Sequence, residues 1–487
     1  MTDNVGDAVP SACDVLITGG RVIDGTGADS FQADVAISAD RISAVGDLSA
    51  MRAGSRINVE GRIVAPGFID AHTHDDRLLL SDPAMTPKVT QGVTTVITGN
   101  CGVSLAPVAG MEPPPPLNLL GGRDWFRFES VRQYTDALAD AKPAINSAML
   151  VGHSTLRAAV MDDLDRAASD AEIVQMGDLV DAAMAEGCIG LSTGLAYPTA
   201  IAAPTDEVVA LAERAAAFGG IYATHMRNED DTVVEAVKET LDIGRRARLP
   251  VVISHHKASG RRNWGRTEET LRLITAAQQQ QTVDFDVYPY TASSTVLLPE
   301  FVERSERIVV TWSDAHPDAA GRDLGAIVTE WGCSVEEAVQ RLSPAGAIYH
   351  QMDERDLQRV MQFPGSMIGS DGLPHDRFPH PRLWGTFPRV LGHYSRTLGL
   401  FSLEQAVHKM TFRTASVFGL RDRGVIRRGA YADIVVFDAN TVIDKADFEH
   451  PTEPAAGIEW ILVNGQPVWR YGAAVDNRPG RLLRRHG

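Results

Sequence analysis

The chain has 487 residues, 44 % of them apolar and 22 % charged, the composition of an ordinary globular protein able to bury a large core. Its formal net charge of −17 and its pI near 5.3 argue against nucleic acid and anionic membrane as partners. No apolar run approaches the ~20 residues that a membrane helix needs.

The first ordered-looking segment, 1–63, reads as short alternating strands broken by turns. "DVLITGGRVIDG", "ADVAISADRISAVGD" and "SRINVEGRIVAPG" carry that pattern, with Gly and Asp as the punctuation. Residues 1–14, MTDNVGDAVPSACD, lack the basic and apolar regions of a signal peptide. The four cysteines, Cys13, Cys101, Cys188 and Cys333, are too few and too scattered for a disulfide framework. A reducing, cytoplasmic location is therefore expected.

From 64 to 417 the style changes. Eight apolar runs follow one another: "RIVAPGFIDAHTH", "TTVITGNCG", "SAMLVGHS", "CIGLSTGL", "IYATHMRN", "PVVISHHKA", "TVDFDVYPY" and "SMIGSDG". Helical patterns such as "TDEVVALAERAAAFGG" separate most of them. Continuous apolar strands alternating with helices indicate a parallel sheet buried on both faces. Eight such units predict an α/β fold, a (β/α)8 barrel. The rhythm breaks at about 291–350, which is expected to be an insertion over the barrel mouth that acts as a lid. "MEPPPPLN" (111–118) is a polyproline-type loop. Residues 418–487 return to short strands, in "GVIRRGAYADIVVFD" and "WILVNGQPVWRYG". The two ends are expected to pair into one small β-sandwich domain, with the barrel inserted between them.

Barrel enzymes place their chemistry at the C-terminal ends of the strands. The first run ends in His72 and His74, which alternate along a strand and so point the same way. Two neutral imidazoles on one side make half a zinc site; a hydrogen-bonded or exposed pair is the other reading. Cys101 ends the second run, His225 the fifth, His255 the sixth and Asp371 the eighth. A thiolate among imidazoles favours zinc over magnesium or calcium. Alternation places His255 on the same face as Lys257 and turns His256 away.

The chain resembles the N-acyl-D-amino-acid deacylases (D-aminoacylases) of the amidohydrolase superfamily. "PGFIDAHTHDD" points to the superfamily. "GNCGVSLAP", "GLSTGLAYPTA", "THMRNE", "SHHKASG" and "GSDGLPHD…HPRLWGTFPRVLG" point to the deacylases. The resemblance spans nearly the whole chain, from "LITGGRVIDGTG" to "GAYADIVVFD". It implies hydrolysis of the amide bond of N-acyl-D-amino acids, with Zn2+ as cofactor. His72 and His74 would form one metal position. Cys101, His225 and His255 would form the neighbouring, tighter one, with the cysteine able to bridge. Asp371 would be the general base and acid; a helix cap before Gly372 is its structural alternative. Lys257, Tyr288, Arg377 and Ser293 would hold the substrate α-carboxylate, and a surface pair with Asp376 is the alternative for Arg377. His153 would be a polar wall residue. The insertion offers both cations, Arg304 and Arg307, and apolar groups, Leu297, Leu298, Phe301 and Val302, so acidic and hydrophobic substrate side chains stay open. A cyclic-amide hydrolase is the competing enzyme, but it would carry a bridging lysine, which "VGHST" and "GLSTGL" lack.

Overall fold

The computed structural model describes residues 11–485, so the reading of the first ten residues lies outside it. Eight parallel strands form the barrel: β1 (Phe68–Asp70), β2 (Val93–Thr98), β3 (Asn146–Met149), β4 (Gly190–Gly194), β5 (Ile221–His225), β6 (Val251–Ile253), β7 (Val283–Val287) and β8 (Ser366–Ile368). Neighbours in the sequence are neighbours in the sheet. β3 resumes after Leu150 as Val151–Gly152, which pairs with β4. β8 returns to β1, where Ala71 N–H donates to Ile368 O at 3.1 Å, and closes the ring. Helices such as Asp170–Glu186, Thr205–Ala217 and Val233–Ala247 pack outside. Their apolar faces pack on the outward residues of the strands in one core, while Ile69, Ile97, Ala148, Ile221, Val252 and Met367 fill the barrel interior in another, which is why the strands read as unbroken apolar runs.

The first run is not one strand. It splits at Gly67, where a side chain would stand 2.2 Å from Thr94 Cγ2. Ile63–Pro66 pairs antiparallel with Ile434–Phe437 in the small domain, and only Phe68–Asp70 enters the barrel. The chain ends meet there in a seven-stranded sheet that also holds Arg21–Val22, Ile458–Val463 and Gln466–Arg470. A four-stranded sheet of Ala12–Thr18, Asp34–Ser38, Arg41–Gly46 and Arg52–Asn58 faces it. Ile17, Val35 and Ile57 pack on Val64, Ile434 and Leu462 between the two sheets, a β-sandwich.

The break in rhythm is a folded insertion. Ala292–Val296, Ala345–His350 and Arg307–Ser313 form an antiparallel sheet with helices Leu324–Trp331 and Val335–Leu342 against it. Its apolar core runs on into Cys101, Leu119 and Tyr197 at the barrel mouth. Tyr197 Oη meets Thr295 Oγ1 at 2.9 Å. Among the described residues no helix is long and apolar enough to cross a membrane.

Barrel and sandwich are joined by a buried polar node. Asp433 pairs with Arg423, accepts from Asn146 Nδ2 at 3.3 Å on β3 and from Asn464 N–H at 2.8 Å in the sandwich. Asp433→Ala would leave the Arg423 guanidinium buried without a countercharge, a loss of about 3–5 kcal/mol. A marked fall in the thermal unfolding temperature is expected; an unchanged midpoint would show that the node is not structural.

Candidate metal centre

The groups at the mouth lie just past the strand ends, not on them. Only His225 is still within its strand. Cys101, His255 and Asp371 have φ of 53°, 37° and 49°, a left-handed conformation that costs a non-glycine residue roughly 1–3 kcal/mol and persists only where the surroundings over-determine it. Hydrogen bonds do so here. His255 N–H donates to Asp286 Oδ1 at 2.9 Å, and Asp371 N–H to His72 O at 2.7 Å. Around Cys101, the glycines of "GNCG" are required: a side chain at Gly99 would stand 2.0 Å from Leu150 O, and one at Gly102 would stand 2.8 Å from Gly194 N. His255 faces inward as expected, but for a different reason. β6 has ended at Ile253, and the turn at His255, not strand alternation, aims the ring. His256 points away, bonded to Thr270 Oγ1 at 2.8 Å.

These turns bring together side chains far apart in sequence. Cys101 Sγ lies 3.3 Å from His72 Nε2 and 3.4 Å from His255 Nε2. Asp371 Oδ1 lies 3.5 Å from His72 Nε2 and 3.3 Å from His74 Nε2. His225 packs edge-on against His255 with ring centroids 4.6 Å apart. Ligand atoms of His72, Cys101, His255 and Asp371 all lie within 4.8 Å of one another, as do those of His225, Glu229 and His255.

The electrostatics favour a cation. Burial pushes the Cys101 thiol up, but His72 and His255 outweigh it and hold the thiol well below its usual range. Burial would lower His74 and His255; hydrogen bonding to Asp371 for the first, and Glu229 with Cys101 for the second, push them instead to about 9. Asp371 is held well below the carboxylate range, against burial, by Arg382 and the histidines. A thiolate and a carboxylate surrounded by imidazoles that hold protons form a site in which a divalent ion can take the protons' place. Thiolate and imidazole donors suit zinc. The residues present therefore fit the zinc that the sequence implies.

Four residues around this group escaped the sequence reading. Asp286 Oδ2 stands 3.5 Å from His72 Nδ1, and Glu229 Oε1 stands 2.9 Å from His255 Nδ1; carboxylates in such positions orient ligand imidazoles. Asp286 shares its strand face with Tyr288, so alternation could have found it. Lys257 Nζ donates to Glu229 Oε1 at 2.7 Å. Arg382, fully buried, sets Nη1 2.9 Å from Asp371 Oδ2 and donates through Nη2 to Ser294 O at 2.9 Å. The fourth is Lys88, beneath the two histidines.

Three expectations need correction. Arg377 is exposed and lines an outer cleft with Arg77, Glu112 and Trp312; the guanidinium placed against Asp371 belongs to Arg382. Residues 370–381 are irregular, so no periodicity indicates which arginine turns inward. Ser293 is half-buried and accepts from Gln351 Nε2 at 2.7 Å, while the neighbouring Ser294 meets Arg382 through its carbonyl. His153 opens helix His153–Val160 and meets Glu207 Oε1 at 2.9 Å, in a buried cluster with Arg157. Lys257 and Tyr288 stand together with Arg382: Lys257 Nζ and Arg382 Cζ lie 5.6 and 4.6 Å from the Tyr288 ring centroid.

A barrel with this centre and a sandwich built from both chain ends defines a metal-dependent amidohydrolase, and the amidohydrolase family model matches residues 56–308 and 333–469. The chain is 55 % identical to the D-aminoacylase of Alcaligenes xylosoxydans xylosoxydans over 472 residues, 97 % of this chain and 98 % of that one. A solved D-aminoacylase, whose binuclear centre is activated by one metal and attenuated by the second, has a TM-score of 0.96 at 55 % identity, covering 97 % of this chain and all (100 %) of its own. The N-acyl-D-glutamate deacylase of Bordetella bronchiseptica, solved with zinc and a phosphonate mimic of the tetrahedral intermediate, has a TM-score of 0.93 at 46 % identity, covering 97 % of this chain and 100 % of its own. The chain belongs to the D-aminoacylase family of the amidohydrolases.

Cys101→Ser is expected to lose its zinc on dialysis while keeping its fold. Glu229→Gln should keep all direct donors but bind zinc about 10–100-fold more weakly, measured by chelator competition. An unaltered zinc affinity in Glu229→Gln would remove its orienting role.

Proposed function

We infer that this protein hydrolyses the amide bond of N-acyl-D-amino acids, releasing a carboxylate and the free D-amino acid. The observation that carries this is the Cys101 thiolate between the imidazoles of His72 and His255, with Asp371 facing the same imidazoles, in a chain 55 % identical to a D-aminoacylase. The cyclic-amide alternative would need a bridging lysine, which the ends of the third and fourth runs, "VGHST" and "GLSTGL", lack. Zinc held by Cys101, His225 and His255, with the weaker position at His72 and His74, would supply a water acidified to a pKa of about 7 and a Lewis acid for the acyl carbonyl.

The chain's own residues do the rest. Asp371 stays ionised because Arg382 stands against one of its oxygens, and the other faces the histidines. It is placed to accept the proton of the attacking water and return it to the departing nitrogen. Lys257, Arg382 and Tyr288 bind the α-carboxylate: two cations lie against one ring, and burial keeps the Tyr288 phenol protonated as a donor. Each of the two cations also faces an acid, Lys257 with Glu229 and Arg382 with Asp371. The D-configuration of the substrate follows from the family.

The substrate side chain is neutral and apolar. A cleft of about 380 Å³ opens from His225 and Glu229 between Ile201, Leu298 and Phe301. Its two arginines are already neutralised, Arg304 by Asp230 and Arg227 by Glu239. Glu300 and Asp165 at its rim repel an anion. Arg307 is 56 % exposed and pairs with Asp323. All four cysteines are free, which supports a reducing, cytoplasmic setting.

Asp371→Asn should keep its zinc and lose at least ~100-fold in kcat; retained turnover would defeat the role given to Asp371. Arg382→Met should raise KM and lower kcat, whereas Arg377→Met should stay within about twofold of wild type, since a surface substitution away from the site changes little. With N-acetyl-amino acids, kcat/KM is expected to be at least ~10-fold higher for D-leucine and D-methionine than for D-glutamate or D-aspartate, the scale of about 1.4 kcal/mol for an unmatched charge. Preference for the acidic substrates would overturn the side-chain assignment and leave the deacylase reading intact.

A further inference from the structure

Beneath the seam where β1 and β8 meet lies a charged group that the reaction does not touch. Lys88 is fully buried on the short helix Thr86–Val89. Its ammonium donates to Asp70 Oδ2 at 2.7 Å, Ser370 Oγ at 2.7 Å and Thr73 Oγ1 at 3.0 Å. That uses every donor it has. Asp75 Oδ2 is a further 3.4 Å contact. Asp70 faces the same seam: it accepts the backbone N–H of Ser370 at 2.8 Å and of His72 at 3.3 Å. The Ser370 hydroxyl is also fully used. It gives its proton to Asp70 Oδ2 at 2.6 Å and accepts from Lys88 and from Gly372 N–H at 3.1 Å. At Gly372 a side chain would stand 3.1 Å from Lys88 Nζ and 2.8 Å from Leu383 Cδ1, so the segment lies close over the ammonium.

Residues 370 and 372 flank Asp371, whose φ is 49°. Neither Lys88 nor Ser370 is among the groups assigned to metal or substrate. We propose that Lys88, acting through Ser370, is a positioning residue for Asp371: the ammonium and Asp70 hold the 370–372 turn in its left-handed form and so aim the Asp371 carboxylate at His72 and His74. This rests on the reading of Asp371 as the proton carrier. A strained turn relaxes when its restraints are removed, and a misplacement of about 1 Å in a reacting group can lower the rate ~100-fold. A network that merely stabilised the barrel would affect unfolding and leave turnover of the folded enzyme unchanged.

Ser370→Ala tests this with the zinc-loaded enzyme, because Lys88 keeps Asp70 and Thr73 as partners. Ser366→Ala is the matched control. That hydroxyl is also fully buried, at the other end of β8, and also accepts from a lysine, Lys409 Nζ at 2.9 Å. Both variants should lose comparable thermal stability. Ser370→Ala should lower kcat about 10–100-fold with KM within about twofold and zinc content unchanged; Ser366→Ala should leave kcat unchanged. A crystal structure of Ser370→Ala should show Asp371 out of the positive-φ region. Should Ser370→Ala not fold, the nearly isosteric Ser370→Cys, a much poorer hydrogen-bonding group, is read in the same way. Equal kcat in the Ser370 and Ser366 variants, or an effect confined to KM, overturns the proposal. Asp371→Asn separates the two levels: if it is inactive while Ser370→Ala behaves like the control, only the positioning role fails; if it is active, the reading of Asp371 fails first.

Discussion

Mutual neutralisation of buried charge governs the mouth of this barrel. A thiolate, five carboxyl groups (Asp70, Asp75, Asp286, Glu229 and Asp371), two ammonium groups and a guanidinium lie out of water within a few side chains of one another. An isolated charge in such a place would be expelled or neutralised. Each survives because an opposite charge stands within reach: Arg382 at Asp371, Lys257 at Glu229, Lys88 at Asp70 and the imidazoles at Cys101. A divalent cation among the sulfur and the rings would take the place of the imidazole protons in that balance, so affinity for metal follows from the same arrangement that lets the groups be buried.

That balance also accounts for the backbone. Cys101, His255 and Asp371 are presented by left-handed turns just beyond the strand ends, and each turn is held by a partner reached through hydrogen bonds: Asp286 under His255, Ser192 under Gly102, Ser370 and Lys88 under Asp371. Rigid strands supply the frame, and short strained turns aim the chemistry. The insertion adds walls without changing the centre. Its sheet joins the apolar core around Cys101 and Tyr197, and its Leu298, Phe301 and Arg304 line the cleft that opens from His225 and Glu229.

Much of this was legible beforehand. Parallel-sheet strands buried on both faces leave unbroken apolar runs, so eight strands could be counted and their reactive ends compared. His72, His74, Cys101, His225, His255 and Asp371 all stand at such ends; five of them meet in two groups that share His255, and His74 joins them through Asp371. The division of the first run at Gly67 was not visible, since Ile63–Pro66 and Phe68–Asp70 are equally apolar and only the partner strand tells them apart. Asp286 was within reach by alternation with Tyr288; Glu229, in a loop after His225, was not.

What the sequence by itself determined was the architecture and the chemical inventory: apolar periodicity dictates the barrel, and thiol plus imidazole at strand ends dictates the metal. What only the tertiary structure decided was direction within irregular segments. Arg377 and Arg382 differ by five positions in one proline-rich stretch, yet one lies exposed and the other is fully buried beside Asp371. The reason is physical. In a strand or helix the backbone repeat sets where each side chain points, but in a loop the direction depends on contacts from distant parts of the chain, here the β1–β8 seam and Ser294 of the insertion, and those exist only once the chain has folded.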